Sequence, residues 1–385
     1  MSTPVRKNRP RILENLLEAQ KIAFAPFIFE ACASALSSGL LAALARSPEG
    51  LSEVALREET KLSPYAVRVL LDLLAPAGVV ERVERVASVE EDDDVESSEA
   101  ALLWRSTPVA DLLLFDDMTR ANFFFTKDVN YEALAKLDAS LTEGRPAGLA
   151  AFDPSWKTIY PHLPELPEAA RKAWFGFDHF HSDRAYEAAL GVLALTRDFK
   201  HLVDIGGNTG RFTHRFLLKN PTARATVVDL PVQTEAIPTR DELQDVVDRI
   251  DTFSIDWLTD AELKVSPEAD LFWMSQFLDC FSEDEAVSIL VRTKAAMKAS
   301  KASKASESKP VLAVLEPVVD EQRHAAAELS LAATSLYFTA VANGNSAFFR
   351  GDMLRNIFKR AGFAIRSEVP NLGISHTLFL LEPAD

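Results

Sequence analysis

From Asp198 onward, apolar runs of strand length alternate with longer stretches of helical periodicity, the pattern of an α/β fold. The predicted strands are His201–Ile205, Ala225–Val228, Thr252–Ile255, Ala269–Ser275, Val311–Leu315, Ala364–Val369 and His376–Leu381, with helices between most of them. The first hundred residues carry a period near 3.6 instead. Phe24–Ala45 predicts a helix that ends at Pro48-Glu49-Gly50, and Ser52 caps a short helix after it. Leu62–Leu74 has Ser63 as cap, Pro64 at the first helical position and apolar residues at helical spacing. Gly78 stops that helix before the strand-like Val79–Val83, so helices followed by a strand pair give a winged-helix pattern. Residues 111–195 predict connecting helices punctuated by Pro154, Pro161, Pro164 and Pro167, which separates an amino-terminal domain (1–110) from the α/β domain (196–385).

Composition narrows the function classes. With 385 residues, 48% of them hydrophobic, the chain can bury a full core, and its net charge of -16 disfavours nucleic acid or an anionic membrane as partner. The wing would carry Glu90-Glu91-Asp92-Asp93-Asp94, which argues against DNA. The repeat Lys298–Ser306 predicts a surface loop. Cys32 and Cys280 lack metal-ligand or disulfide spacing, so no metal site is expected and a reducing cytoplasm is the expected compartment. Ile22–Ala45 is apolar enough to raise a membrane span, but Pro26, Glu30 and the small residues Ala31–Ser38 favour a buried helix, placed at a subunit interface.

The candidate chemistry starts at Leu202-Val203-Asp204-Ile205-Gly206-Gly207-Asn208-Thr209-Gly210, a strand running into a glycine turn. Glycines let backbone approach a nucleoside cofactor, and an acid at the next strand end, Asp229 in Val227-Val228-Asp229-Leu230-Pro231, can accept from ribose hydroxyls. The glycine spacing does not meet the dinucleotide fingerprint, which weakens a diphosphate reading. Asp256, beside Trp257, puts an acid at a third strand end, where it could accept from an adenine amine. The alternative role of both acids is to cap the following helix.

These segments, with Asp279-Cys280-Phe281-Ser282-Glu283-Asp284-Glu285, resemble the class I S-adenosylmethionine-dependent small-molecule O-methyltransferases of the plant caffeate type and their bacterial relatives. The resemblance implies a Rossmann-like seven-stranded α/β methyltransferase sheet with an N-terminal all-helical winged-helix domain for homodimerisation, and residues 111–195 contributing to the substrate pocket. It implies that Asp204, Gly206, Gly207 and Gly210 line the S-adenosylmethionine, that Asp229 and Leu230 hold its ribose, and that Asp256 and Trp257 meet its adenine, with Ser275 and Ser182 also at the cofactor. Asn208 replaces a family glycine and, being asparagine, tolerates a left-handed backbone.

The acceptor half departs from the family. Where the family has a His before the Asp of a His-Asp-Trp segment, this chain has Leu278-Asp279-Cys280, which removes the usual base. Glu316 matches one supporting acid, and the other falls in Ala347–Arg350, which holds none. Three explanations compete: His181 or His179 serves as base from the opposite wall; the acceptor is a ring carbon beside a phenol; or the sulfonium assists a rearrangement without methyl transfer. A cofactor-sensing DNA-binding regulator is a further alternative. The first is the leading expectation, with His181, His179, Asp279 and Glu316 as catalytic candidates and Asn343, Leu278 and Phe338 facing an aromatic substrate. Phe123, Phe124, Phe125, Phe348 and Phe349 would complete the wall. Trp174–Tyr186 and Ser275–Phe281 also resemble methyltransferases of bacterial aryl polyene pathways, which implies carbon methylation of a hydroxyphenyl head group.

Overall fold

The computed structural model describes residues 9–84, 102–259, 262–300 and 309–384; the acidic run at 90–94 and the repeat from 301 to 306 lie outside them. The chain divides into two compact units, Met1–Phe123 and Phe124–Asp385.

The first unit holds helices α1 (Arg9–Ala23), α2 (Ala25–Ser37), α3 (Leu40–Ala45), α4 (Glu53–Thr60) and α5 (Pro64–Leu74), strands β1 (Val80–Glu84) and β2 (Leu102–Ser106), and helices α6 (Pro108–Phe115) and α7 (Asp117–Phe125), the last crossing the boundary. The unit is not all-helical, because β1 and β2 pair antiparallel from Val80↔Ser106 to Glu84↔Leu102. Local chemistry sets the helix starts. The Ser52 and Ser63 hydroxyls accept from the Ala55 and Ala66 amides at 3.2 and 3.1 Å, and Val67, Leu71 and Leu74 put one face of α5 into the core. The single helix expected over Phe24–Ala45 is two helices, since Gly39 takes a left-handed backbone (φ 78°) between α2 and α3. At 13 and 6 residues neither reaches the roughly 20 that a bilayer span needs.

The second unit contains α8 (Leu137–Glu143), α9 (Glu168–Thr196), β3 (His201–Ile205), α10 (Arg211–Lys219), β4 (Arg224–Asp229), α11 (Pro231–Thr234), β5 (Ile250–Ser254), β6 (Leu271–Ser275), α12 (Glu283–Ala299), β7 (Val311–Pro317), α13 (Ala325–Tyr337), α14 (Gly351–Arg360), β8 (Phe363–Leu372) and β9 (His376–Pro383). All seven strands expected from Asp198 onward are present and form one sheet in the order β5-β4-β3-β6-β7-β9-β8. The first five are parallel, and β9 pairs antiparallel with both β7 and β8. This is the Rossmann-like methyltransferase sheet.

Both faces are covered, so β3 and β7 are buried at every position. Alternate side chains serve two cores: Val203, Ile205, Phe272 and Met274 on one face, and Leu202, Leu271, Trp273 and Leu315 on the other. From β3 the chain proceeds outward through β4 and β5, then returns to the other side of β3 with β6. That reversal leaves a crevice at the carboxyl ends of β3, β4 and β6, where ligands of open α/β sheets bind. A separate aromatic and aliphatic cluster, including Phe125, Leu163, Trp174, Tyr337, Phe338 and Phe348, is built by helical segments of the same unit. By length and composition Ala325–Ala342, α13 with its five-residue extension, could cross a membrane, and a third of it is buried.

Candidate cofactor and acceptor site

A cavity of 450 Å³ lies within the second unit at the carboxyl ends of the strands. Its lining joins the glycine turn and the strand-end acids to the aromatic cluster.

The turn is shaped by backbone conformation. Gly206 and Gly210 have φ of 74° and 78°, and Asn208, at 47°, adopts the left-handed conformation expected of it. A Cβ on Gly206 would lie 2.3 Å from the Phe277 ring, and one on Gly207 would lie 2.9 Å from Val227 Cγ1, so neither position accepts a side chain without displacement. The turn is tied to β4: the Asn208 amide donates to Asp229 Oδ2 at 2.8 Å, and the Leu230 amide donates to Oδ1 at 2.7 Å. Burial pushes the Asp229 carboxyl up to about 6. Asp204, at the end of β3, accepts from the Thr213 hydroxyl at 2.6 Å, and burial pushes its carboxyl up to about 7. Asp256 accepts from the Leu258 amide at 2.9 Å, the local bond of an acid that also orders its own turn.

Helix α9 supplies the opposite wall. Trp174, Asp178, Ser182 and Tyr186 recur every four residues and all line the cavity. Arg211 and Arg215 of α10 both ion-pair with Asp183, which fixes α9 against the helix that follows the glycine turn. His179 lines the cavity; burial first, then Arg211, pushes its imidazole down to about 4, and Nε2 is buried without a partner among the described residues.

Of the residues anticipated from sequence, Asp204, Gly206, Gly207, Asp229, Leu230, Asp256, Trp257, Ser275, Ser182, His179, Asp279, Asn343 and Phe338 line this cavity. Four do not. Gly210 caps α10 and packs toward Leu243 and Ile237. Leu278 is fully buried in the core beneath the sheet, so it cannot face a substrate. Glu316 is buried behind the wall, where Oε1 accepts from the Phe277 and Leu278 amides at 3.0 and 2.9 Å. His181, the leading candidate for the base, is buried with its ring 4.5 and 5.3 Å from those of Phe177 and Phe180, and burial pushes it down to about 4. One residue from Ser182, it is rotated by about 100° on the helix and turned out of the cavity.

The phenylalanine wall is also redrawn. Phe125, Phe338 and Phe348 line it, but Phe123 belongs to the core of the first unit, Phe124 is exposed and Phe349 is in the core under the sheet. Tyr160, Trp174, Phe177, Phe281 and Tyr337, not anticipated as lining, complete it. Trp174 Nε1 donates to the Tyr337 hydroxyl at 2.8 Å. The four-residue recurrence of Trp174, Asp178, Ser182 and Tyr186 was the signal for the α9 wall; Tyr160 and Tyr337 come from separate segments and had none. Asn343 follows a wide turn closed by its amide to the Phe338 carbonyl at 3.1 Å. Its side chain donates to the Cys280 carbonyl and accepts from the Ser346 hydroxyl at 2.9 Å, so it primarily holds the wall together.

Residues 181–364 match the O-methyltransferase domain and residues 17–85 the Dimerisation2-like domain. The chain is 28% identical over 260 residues to O-methyltransferase SfmM3 of Streptomyces lavendulae, covering 60% of this chain and 74% of that protein. Among solved structures, the S-adenosylmethionine-dependent methyltransferase SibL superposes with TM-score 0.67 at 18% identity, covering 95% of this chain and 98% of that one. Human N-acetylserotonin methyltransferase in complex with S-adenosylmethionine gives 0.63 at 18% identity, with both chains fully covered. The fold is thus that of a class I methyltransferase. Residues 181–364 carry an O-methyltransferase domain, and the protein is an S-adenosylmethionine-dependent methyltransferase.

The residues present fit that cofactor. The cradle at Gly206 and Gly207 would be filled by any Cβ, and Asp229 presents a carboxylate already oriented by two backbone amides. S-Adenosylmethionine would supply a sulfonium methyl, and the chain would have to hold it against an acceptor.

Proposed function

We propose that this enzyme methylates a hydroxyl group of a neutral aromatic small molecule, with Asp229, Leu230, Asp256 and Trp257 holding the nucleoside end of the cofactor and the aromatic wall holding the acceptor. One observation carries the reading: the glycine turn and strand-end acids share a single cavity with Phe125, Trp174, Phe177, Tyr337, Phe338 and Phe348. Flat aromatic surfaces suit a flat acceptor, and a mostly apolar lining favours one without charge. His179, which lines the cavity and lies near Arg211, the residue after the glycine turn, is assigned to the cofactor's amino-acid portion rather than to proton removal.

The homodimer is part of the same proposal. It is supported by the Dimerisation2-like match and by exposed Leu13, Leu16, Leu17, Ile22 and Phe27 on α1 and α2. The unpaired cysteines suit a reducing cytoplasm, and the acceptor class suits small-molecule biosynthesis.

The test is incubation with methyl-labelled S-adenosylmethionine and a panel of phenols, hydroxybenzoates and hydroxyphenyl polyenes. Label is expected on oxygen of the uncharged members, located by NMR. A methyl on a ring carbon would replace oxygen methylation with the carbon reading. Turnover without label transfer would sink methyl transfer to this class altogether.

A further inference from the structure

We propose that Asp279 is the proton acceptor of methyl transfer, acting as one half of a carboxyl pair with Glu316 that holds a single proton. The inference rests on transfer to a hydroxyl, as proposed above, and it moves the base away from both histidines of α9.

The backbone after β6 is what places Asp279. Gln276 is left-handed (φ 47°), and the next two amides, of Phe277 and Leu278, donate to Glu316 Oε1 at the end of β7. Leu278 is thereby driven into the core and Asp279, the following residue, lines the cavity. The wall position expected for Leu278 is therefore held by a carboxyl group. Asp279 and Glu316 interact with each other, and both are almost wholly buried. Asp279 Oδ2 and Glu316 Oε2 have no donor among the described residues. Two carboxylates cannot satisfy each other, since each only accepts; one proton between them gives both oxygens a partner.

Burial raises both carboxyls, and each opposes a full charge on the other, which favours one proton in the pair over two charges. That proton serves the two oxygens without a donor, Glu316 Oε2 and Asp279 Oδ2, while Glu316 Oε1 keeps both backbone bonds. Asp279 Oδ1, 3.5 Å from the Cys280 thiol, is left to face the acceptor. The other ionisable groups around Asp279 are Tyr160, Tyr337, Cys280 and Asp178, all acids. A carboxylate in such company repels an anionic acceptor and receives a neutral hydroxyl. As that hydroxyl oxygen bonds to the sulfonium methyl, its proton passes to Asp279 Oδ1. The carbon–sulfur bond breaks, and its electron pair stays on a neutral thioether. Asp279 later releases the proton to water.

The experiment combines pH profiles of kcat/KM with infrared titration of the cofactor-free protein. Asp279→Asn is expected to lower kcat by about 100-fold or more. In Glu316→Gln the amide can still donate to Asp279, but more weakly than an acid, so the acid limb of the profile should move to higher pH while the alkaline plateau is largely kept. A merely structural role for Glu316 would not move that limb. In the infrared, a protonated-carboxyl band present at neutral pH in the wild type should be missing from Glu316→Gln. An Asp279→Asn enzyme retaining its rate, an unmoved limb in Glu316→Gln, or identical carboxyl bands would each overturn the proposal. If no acceptor is methylated by the wild type, the functional reading fails, yet the infrared comparison still decides whether the pair shares a proton.

Discussion

At the scale of single residues, the glycine turn and the strand-end acids were legible because their geometry is local. A glycine turn, an asparagine that accepts φ 47° and an acid at the next strand end are all contiguous in sequence. The same locality gives a sharp prediction for Asp229. If ribose hydroxyls take its carboxylate, as proposed, then with the group pushed up to about 6 the acid must first lose its proton when the pH is lower. Affinity for S-adenosylmethionine, measured calorimetrically, should therefore be flat above that pH and fall by about tenfold per unit below it. Asp229→Asn should bind at least about tenfold more weakly at neutral pH and should lose this pH dependence. A wild-type affinity that stays constant down to about pH 5 would remove Asp229 from the cofactor contacts. The acceptor half was not legible in the same way. Leu278 and Asp279 are neighbours in sequence, and which of them faces the cavity was settled by a hydrogen-bonding residue 38 positions away.

At the scale of elements, hydrophobic periodicity located all seven strands, because strands buried on both faces or alternating between two cores leave compact apolar runs. Helix starts were equally visible where serine caps them. Helix α12 has the fullest such start: Ser282 accepts from the Glu285 amide at 3.4 Å, and the Glu285 carboxyl accepts from the Ser282 amide at 2.8 Å. Ser282→Ala should cost about 1 kcal/mol in denaturant unfolding, with Ser282→Thr close to wild type. Equal stability of the alanine variant would show that the start of α12 is held by packing alone. Rotation about a helix axis was harder to read. Helix α9 is 29 residues long with a weak apolar stripe, and both His179 and His181 fall in its polar-aromatic middle. Packing directs His179 toward the cavity and His181 toward Phe177 and Phe180.

At the scale of the whole molecule, two compact units divide the labour proposed for the chain, and the amino-terminal one leaves apolar side chains of α1 and α2 uncovered. Leu13 and Leu16 are 66% and 53% exposed. If a second copy covers them, the Leu13→Glu, Leu16→Glu double variant should run as a monomer by sedimentation while the wild type runs as a dimer. A wild-type monomer would overturn that assembly. The net charge of -16 is spread over a chain whose buried site is also acidic, so an anionic acceptor is disfavoured at both levels.

By itself, the sequence determined the seven-stranded sheet, the capped helices and the cofactor turn, because each depends on residues within a few positions of one another. Tertiary structure alone decided the acceptor side. The orientation of Asp279, the burial of Leu278, the withdrawal of His181 and the choice of aromatic wall all depend on contacts between segments far apart in the chain, and a side chain's direction is fixed only when those segments pack.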